Sequence, residues 1–321
     1  MTHALDVITF GEAMLLLVAD QPGPLEQAEA FYKRTAGAET NVAIGLARLG
    51  QKVGWGSRLG TDSMGRYLLA AMQQEGIDCS QVVCDPLQKT GFQFKSKVLD
   101  GSDPEVEYHR QGSAASHICV DDIDDNWLLS ARHLHATGVF AALSASTLPA
   151  ARKTMDLMRA AGRSVSFDPN LRPTLWSSPE MMRESINDLA TRADWVLPGL
   201  EEGRFLTGEA SAEGIARFYR EQGARLVVVK LGAEGAWFDS DSHGTGHVPG
   251  FPVAQVVDTV GAGDGFAVGV ISALLEGLEV VEAVKRGAWI GARAVQVLGD
   301  SEGLPTRAEL IEFTERHPTG L

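Results

Sequence analysis

Asp258-Thr259-Val260-Gly261-Ala262-Gly263-Asp264-Gly265-Phe266 opens an apolar, helix-like run near the C-terminal end of this 321-residue chain. Two glycines and an alanine leave the first backbone N–H groups unshielded by side chains. They face the positive end of the helix dipole, which makes an anion site. Asp264 falls in the first turn, where the dipole is expected to lower its pKa and keep it ionised. An amide cradle beside a carboxylate base is what moving a phosphoryl group onto an alcohol requires.

Upstream of this stretch, strand-like and helix-like segments alternate. Leu5–Glu12 reads as a buried strand ending at Gly11, Thr40–Leu49 as a helix closed by Gly50, Lys52–Ser57 as a strand and Tyr67–Gly76 as a helix. Further strands are read at His133–Thr137, Ser164–Asp168, Trp195–Leu197 and Leu226–Lys230. Helices are read at Leu148–Ala161, Pro179–Thr191 and Ala212–Gln222, and the end of the chain from Gly261 to Leu298 is mainly helical. This rhythm predicts an α/β fold with a mostly parallel central sheet flanked by helices on both faces. Ligands in such folds sit at the carboxyl ends of the strands.

One region breaks the rhythm. Thr90–Val98 and Glu105–Arg110 alternate in polarity around Asp100-Gly101-Ser102-Asp103-Pro104, which is hairpin chemistry. With a further strand after Glu12, through Leu15-Leu16-Leu17-Val18, it predicts a small β-layer projecting from the main sheet. The whole chain, 1–321, is read as one unit, with these strands inserted at about 12–36 and 90–112. Tyr108 and Arg110 are two residues apart on a strand and share a face. If the layer covers the site as a lid, they reach the ligand together, and a guanidinium fork is the natural partner of a carboxylate.

The formal net charge of −14 opposes binding to nucleic acid and to anionic membranes, so an anionic substrate needs local basic residues. A hydrophobic content of 44% supports a sizeable core. Cys79, Cys84 and Cys119 form no ligand spacing and read as reduced thiols. His133 and His135 alternate, but no Cys or carboxylate cluster completes a metal site around them. No apolar run reaches membrane-spanning length and Met1–Asp6 does not read as a signal peptide, so the expected location is the cytoplasm. Gly54–Gly60 imitates a dinucleotide fingerprint, but its last glycine is one residue late and no helix opens at Gly56. No GxxxxGK[ST] P-loop is present either.

Two other small-residue clusters precede helices: Ala36-Gly37-Ala38-Glu39-Thr40-Asn41, and Gly60-Thr61-Asp62-Ser63-Met64-Gly65, where Asp62 or Ser63 reads as a cap. Taken in order with Asp258–Asp264, they resemble the ribokinase-like (PfkB) carbohydrate kinases from Phe10-Gly11 to Glu302-Gly303-Leu304-Pro305. Within these, the chain is most similar to the 2-keto-3-deoxygluconate kinases. That closer resemblance rests on Thr90-Gly91-Phe92, on Tyr108–Ala114 and on Phe167-Asp168-Pro169-Asn170-Leu171-Arg172-Pro173-Thr174-Leu175-Trp176.

The resemblance implies an ATP- and Mg²⁺-dependent kinase acting on a sugar acid. It makes Asp264 the base and Gly261, Ala262 and Gly263 the cradle for the migrating phosphoryl group. Gly37, Asn41, Tyr108, Arg110 and Arg172 would contact the substrate. Lys230, Gly232, Gly235, Asp258 and Thr259 would lie at the nucleotide, and Glu202 would act on Mg²⁺ through water. Three positions depart from the pattern: Gly199 stands where relatives carry Asn, Ala288 where many carry Asn near the adenine, and Gln93 where some carry Tyr. The alternatives are a fructokinase or ribokinase of the same architecture, and a sugar-binding regulator without catalysis. Open edges of the lid also suggest a homo-oligomer.

Overall fold

The computed structural model describes residues 4–98 and 104–316. The hairpin turn expected at 100–103 and the first three residues lie outside the described residues. The strands, in chain order, are β1 (Leu5–Phe10), β2 (Met14–Pro22), β3 (Phe31–Ala36), β4 (Val53–Gly60), β5 (Val82–Asp85), β6 (Phe92–Lys97) and β7 (Val106–His109). They continue with β8 (Ala131–Thr137), β9 (Ser164–Asp168), β10 (Trp195–Val196), β11 (Leu226–Lys230), β12 (Ala236–Ser240) and β13 (Gly244–Val248).

Nine of these form one sheet in the order β13-β12-β11-β10-β9-β8-β1-β4-β5. From β5 to β11 every neighbouring pair is parallel, and β12 and β13 add an antiparallel edge. The parallel strands are largely buried because both faces are covered, and polar side chains on them such as Thr9, His133 and Ser166 are hydrogen-bonded within the core. On β11, Val227 and Val229 enter the core under the Thr147–Ala160, Pro179–Ala190 and Ala212–Glu221 helices. Leu226 and Val228 enter the core under the Ala38–Arg48, Ala262–Leu275 and Val280–Ala294 helices. The Ala262–Leu275 helix is apolar almost all round and buried, as a core helix must be. It packs on Val280–Ala294 so closely that a Cβ on Gly269 would lie 2.5 Å from the backbone of Gly287.

The remaining four strands form a separate sheet, β3-β2-β6-β7, in which β2 and β6 are parallel. Its inward face carries Leu16, Gln93 and Lys95, and its outward face Phe92 and Phe94. Strand order in the large sheet reverses at β1, between β8 and β4. The carboxyl ends of the strands there open onto the small sheet, and the cleft lies between the two.

Several sequence signals act as predicted. Asp62 caps the Ser63–Gln74 helix by accepting from Gly65 N–H (2.8 Å), and its other oxygen accepts Thr90 N–H (2.9 Å) at the root of β6. His133 and His135 are buried core residues hydrogen-bonded to Ser164 and Ser166. Burial pushes the His135 pKa down to about 3, with Lys230 adding to the effect, so its ring stays neutral.

Candidate active site

The cleft encloses about 280 Å³ and collects residues from beyond β8, from the ends of β9 and β11, from two helix starts and from the small sheet. Its floor is the start of the Ala262–Leu275 helix. Gly261 caps that helix with φ +83°, a conformation that strains any residue with a Cβ, and a Cβ there would lie 2.3 Å from the carbonyl oxygen of Asp300. The first helical hydrogen bond runs from Gly265 N–H to Gly261 O (2.8 Å). The N–H groups of Ala262, Gly263 and Asp264 therefore have no intrahelical acceptor and form an anion cradle. Lys230, the last residue of β11, places Nζ 3.4 Å from where a Gly263 Cβ would stand, adding a fixed positive charge.

Asp264 is buried at the edge of this cradle. Asn41 Nδ2, from the start of the Ala38–Arg48 helix, donates to its Oδ2 (2.8 Å), and Asn170 Nδ2 donates to its Oδ1 (3.2 Å). Its pKa is not depressed as the helix dipole alone predicts, but pushed up to about 7. Burial is the main cause and the nearby Asp168 adds to it, against the Asn41 hydrogen bond and Arg172. Desolvation outweighs the dipole because the carboxylate lies inside the cleft rather than at an exposed helix end.

Asp168 ends β9 and receives Lys230 Nζ at 2.6 Å. Burial lifts the Asp168 pKa to about 6 although Lys230 opposes the shift. The loop that follows presents Asn170 at φ +39°, the single described non-glycine residue with positive φ. That turn aims Asn170 at Asp264 and sets Arg172 into the cleft. Arg172 donates to the carbonyl of Leu171 (2.9 Å) and forms no ion pair with any described residue.

Arg110 also lines the cleft, but its guanidinium is not free. Nε and Nη2 lie 2.7 and 2.5 Å from Glu12 Oε2, and Ser113 Oγ donates to the other Glu12 oxygen. Gly91 makes room for this pair, since a Cβ there would lie 2.6 Å from Glu12 Oε1. Tyr108 sits opposite Gln93 in the β6–β7 register and beside Arg110, whose guanidinium lies 6.0 Å from its ring centroid. Gly37 adopts φ +146° because a Cβ would meet the carbonyl of Glu12 at 2.3 Å.

The nucleotide residues divide. Lys230 and Thr259 line the cleft. Asp258 lies beneath the loop instead, fully buried, where it accepts from Val260 N–H (3.1 Å), Gly299 N–H (3.2 Å) and Lys95 Nζ (2.5 Å). Its oxygens hold the loop from below, and Asp258 does not line the cleft. Gly235 turns the chain between β11 and β12, its Cα packed against the Val248 carbonyl, and it does not line the cleft; Gly232 begins that turn at φ +60°. Glu202 reaches the cleft with both oxygens accepting backbone N–H groups, Leu171 and Gly199, at 2.8 Å each.

Sequence reading gave no site role to Glu12, Lys95, Asp168, Asn170 or Asp300, although Asp168 and Asn170 fall in a stretch that carries the family resemblance. Asp168 and Asn170 had a usable signal: polar residues ending an apolar strand, at the edge of the sheet where ligands bind. Glu12, Lys95 and Asp300 had none, because their partners are far away in the chain.

The family model for pfkB family carbohydrate kinases matches residues 4–307. A 2-dehydro-3-deoxygluconokinase from Bacillus subtilis (strain 168) is 48% identical over 316 residues, covering 98% of this chain and 97% of that protein. A crystal structure of a PfkB protein from Polaromonas sp. JS666 is 80% identical, with a TM-score of 0.89 over 96% of this chain and 99% of that one. A putative ribokinase II from E. coli, solved in complex with ATP and Mg²⁺, is 28% identical with a TM-score of 0.89, covering 98% of this chain and 100% of its own.

Proposed function

Because the chain belongs to the pfkB family of carbohydrate kinases, we propose that it transfers the γ-phosphoryl group of ATP to the terminal hydroxyl of 2-keto-3-deoxygluconate. The observation that carries the substrate choice is Arg172: a guanidinium with no ion pair to any described residue, in the same cavity as Asp264. A sugar acid supplies a carboxylate for a charge-assisted, two-pronged contact that a neutral sugar cannot make. Arg110 contributes through its free Nη1 edge, since Glu12 occupies the other. Buried Asn41 Oδ1, Asn170 Oδ1 and Gln93 Oε1 accept no hydrogen bond and suit the hydroxyl donors of a polyol chain.

In the reaction, Asp264 takes the proton of the acceptor hydroxyl. A pKa near 7 is better matched to this task at neutral pH than the depressed value that the dipole suggests. Asn41 and Asn170 hold its carboxylate in place. The N–H groups at the helix start and Lys230 receive the phosphoryl group as its charge spreads over the equatorial oxygens. ATP supplies that group, and Mg²⁺ neutralises its charge. The donor set fits Mg²⁺ held through water: Glu202 and Asp168 line the cleft, and each Glu202 oxygen keeps a lone pair beyond its backbone bond.

We place the protein in the cytoplasm as a single folding unit, with a second copy pairing along the open β3 and β7 edges. Sedimentation of the wild type tests the pairing, and a monomer at micromolar concentration rejects it. The acceptor assignment is tested with Mg-ATP and a panel of 2-keto-3-deoxygluconate, fructose and ribose, following ADP release. The keto-acid is expected to give the highest kcat/KM. A neutral sugar turning over faster would make this a fructokinase- or ribokinase-type enzyme, and no ADP release with any acceptor would leave a sugar-binding regulator.

A further inference from the structure

Lys95 lies on β6, two residues beyond Gln93 on the same inward face. Its side chain is 0% exposed. Nζ stands 2.5 Å from Asp258 Oδ2 and 3.1 Å from Asp300 Oδ1. Burying an ammonium is unfavourable unless charged partners surround it, and here two carboxylates outweigh desolvation and hold it protonated. A lysine on a strand of a small outer sheet can ordinarily extend its tip to water. This one is drawn inward, to the far side of the cleft.

Each of its partners belongs to one wall of the phosphate loop. Asp258 begins the loop, and its carboxylate also accepts the N–H of Val260, inside the loop, and of Gly299, on the neighbouring segment. Asp300 presses its main chain against Gly261, the residue that turns the loop into the helix. The ammonium therefore joins three pieces of chain: the strand that carries Gln93 over the sugar, the loop that cradles phosphate, and the segment that backs this loop. Removing the ammonium would leave two buried carboxyl groups without their shared cation beneath an anion site.

We propose that Lys95 is a positioning residue for phosphoryl transfer, coupling the seating of the small sheet on the sugar to the geometry of the amide cradle. This rests on the kinase reading above. A purely structural ion pair would contribute to stability and leave turnover of the folded protein unchanged. A coupling device predicts loss of kcat in a protein that remains folded and still binds its sugar.

The test uses the full chain with Lys95→Met, which keeps the stem volume, and with Lys95→Met/Asp300→Asn, which also removes one of the two carboxylates left unpaired. Kinetics use whichever acceptor gives the wild type its highest kcat. Both variants are expected to lose about 30- to 100-fold in kcat, with KM for the sugar changing less than about threefold. A folded double variant with kcat within about threefold of wild type would overturn the proposal. If the single variant does not fold, the double variant and the wild type still decide. In wild type, adding the acceptor without nucleotide should slow amide hydrogen exchange at 299–302, beyond the residues proposed to touch the sugar. Unchanged exchange there would also overturn the coupling. A neutral sugar winning the acceptor panel would reject the substrate assignment and leave this test intact, because the comparison is made on the better acceptor.

Discussion

The two ends of the cleft are built on different principles. The phosphate end is mostly local: seven residues, Asp258–Asp264, supply the loop, the helix start and the carboxylate proposed as base, and Lys230 joins them from β11. Its chemistry comes from backbone N–H groups and from a helix that must begin there. The sugar end is non-local. Glu12 follows β1 and meets Arg110, beyond the end of β7, across 98 residues, and that meeting leaves Arg172 as the arginine we propose for the substrate carboxylate. On the proposed reading, one end performs a reaction common to many acceptors, whereas the other selects among acceptors through a balance of charges.

If that division holds, the largest effect should come from the phosphate end and leave selection untouched. Asp264→Asn keeps the shape and loses the base, so kcat should fall about 10³-fold with little change in KM for the sugar. Steady-state kinetics on the folded variant check this. Turnover above a tenth of wild type would mean that another group accepts the proton, and the contrast between the two ends would collapse.

The two arginines sharpen the comparison from the other side. Arg110→Leu strands a buried Glu12 carboxylate and should cost about 3 kcal/mol of stability, most of it recovered when Glu12→Gln is added. Arg172→Leu breaks no ion pair. It should leave the urea midpoint nearly unchanged while raising KM for the sugar acid about 30-fold, corresponding to a charge-assisted contact of about 2 kcal/mol. Reversed outcomes would exchange the roles assigned to them.

This division also explains what was legible in the sequence. Six of the seven parallel strands, most of their covering helices and the small sheet follow from apolar runs, alternation and glycine turns, all of which are short-range; the short strand Val82–Asp85 and the antiparallel edge β12–β13 were not read. The helix start at Gly261 and the Asp62 cap were readable for the same reason. The placement of Arg110 and Arg172 at the cleft was readable too, but not which of them is already paired within the protein. A guanidinium on a strand looks the same whether its partner is a substrate or a glutamate from another part of the chain. Lys95 was hidden likewise, since Asp258 and Asp300 are 163 and 205 residues away. The Asp264 pKa went the wrong way because a dipole is a property of local sequence, whereas desolvation is a property of the closed cleft.

The smallest expected effect is the pH dependence, and it bears on that last point. With its pKa at about 7, Asp264 must lose a proton to act, so kcat/KM should fall as pH drops through 7 and approach a tenfold loss per unit below it. A base governed by the dipole alone would stay ionised to below pH 4 and give a flat profile from 5 to 8. Stability should carry the same signature with the opposite slope. A carboxyl whose pKa is raised on folding holds a proton that the unfolded chain gives up near pH 4. Its contribution is therefore complete below that pH and is lost as pH rises to about 7; Asp168 adds a loss of the same sign that ends near 6. Asp264→Asn removes the first of these, so the variant that nearly abolishes turnover should unfold at a higher temperature than wild type at pH 8 and show little advantage at pH 4. Equal melting temperatures at pH 8 would mean that the buried carboxylate carries no penalty, and the acid limb of the rate profile would then have to belong to another group.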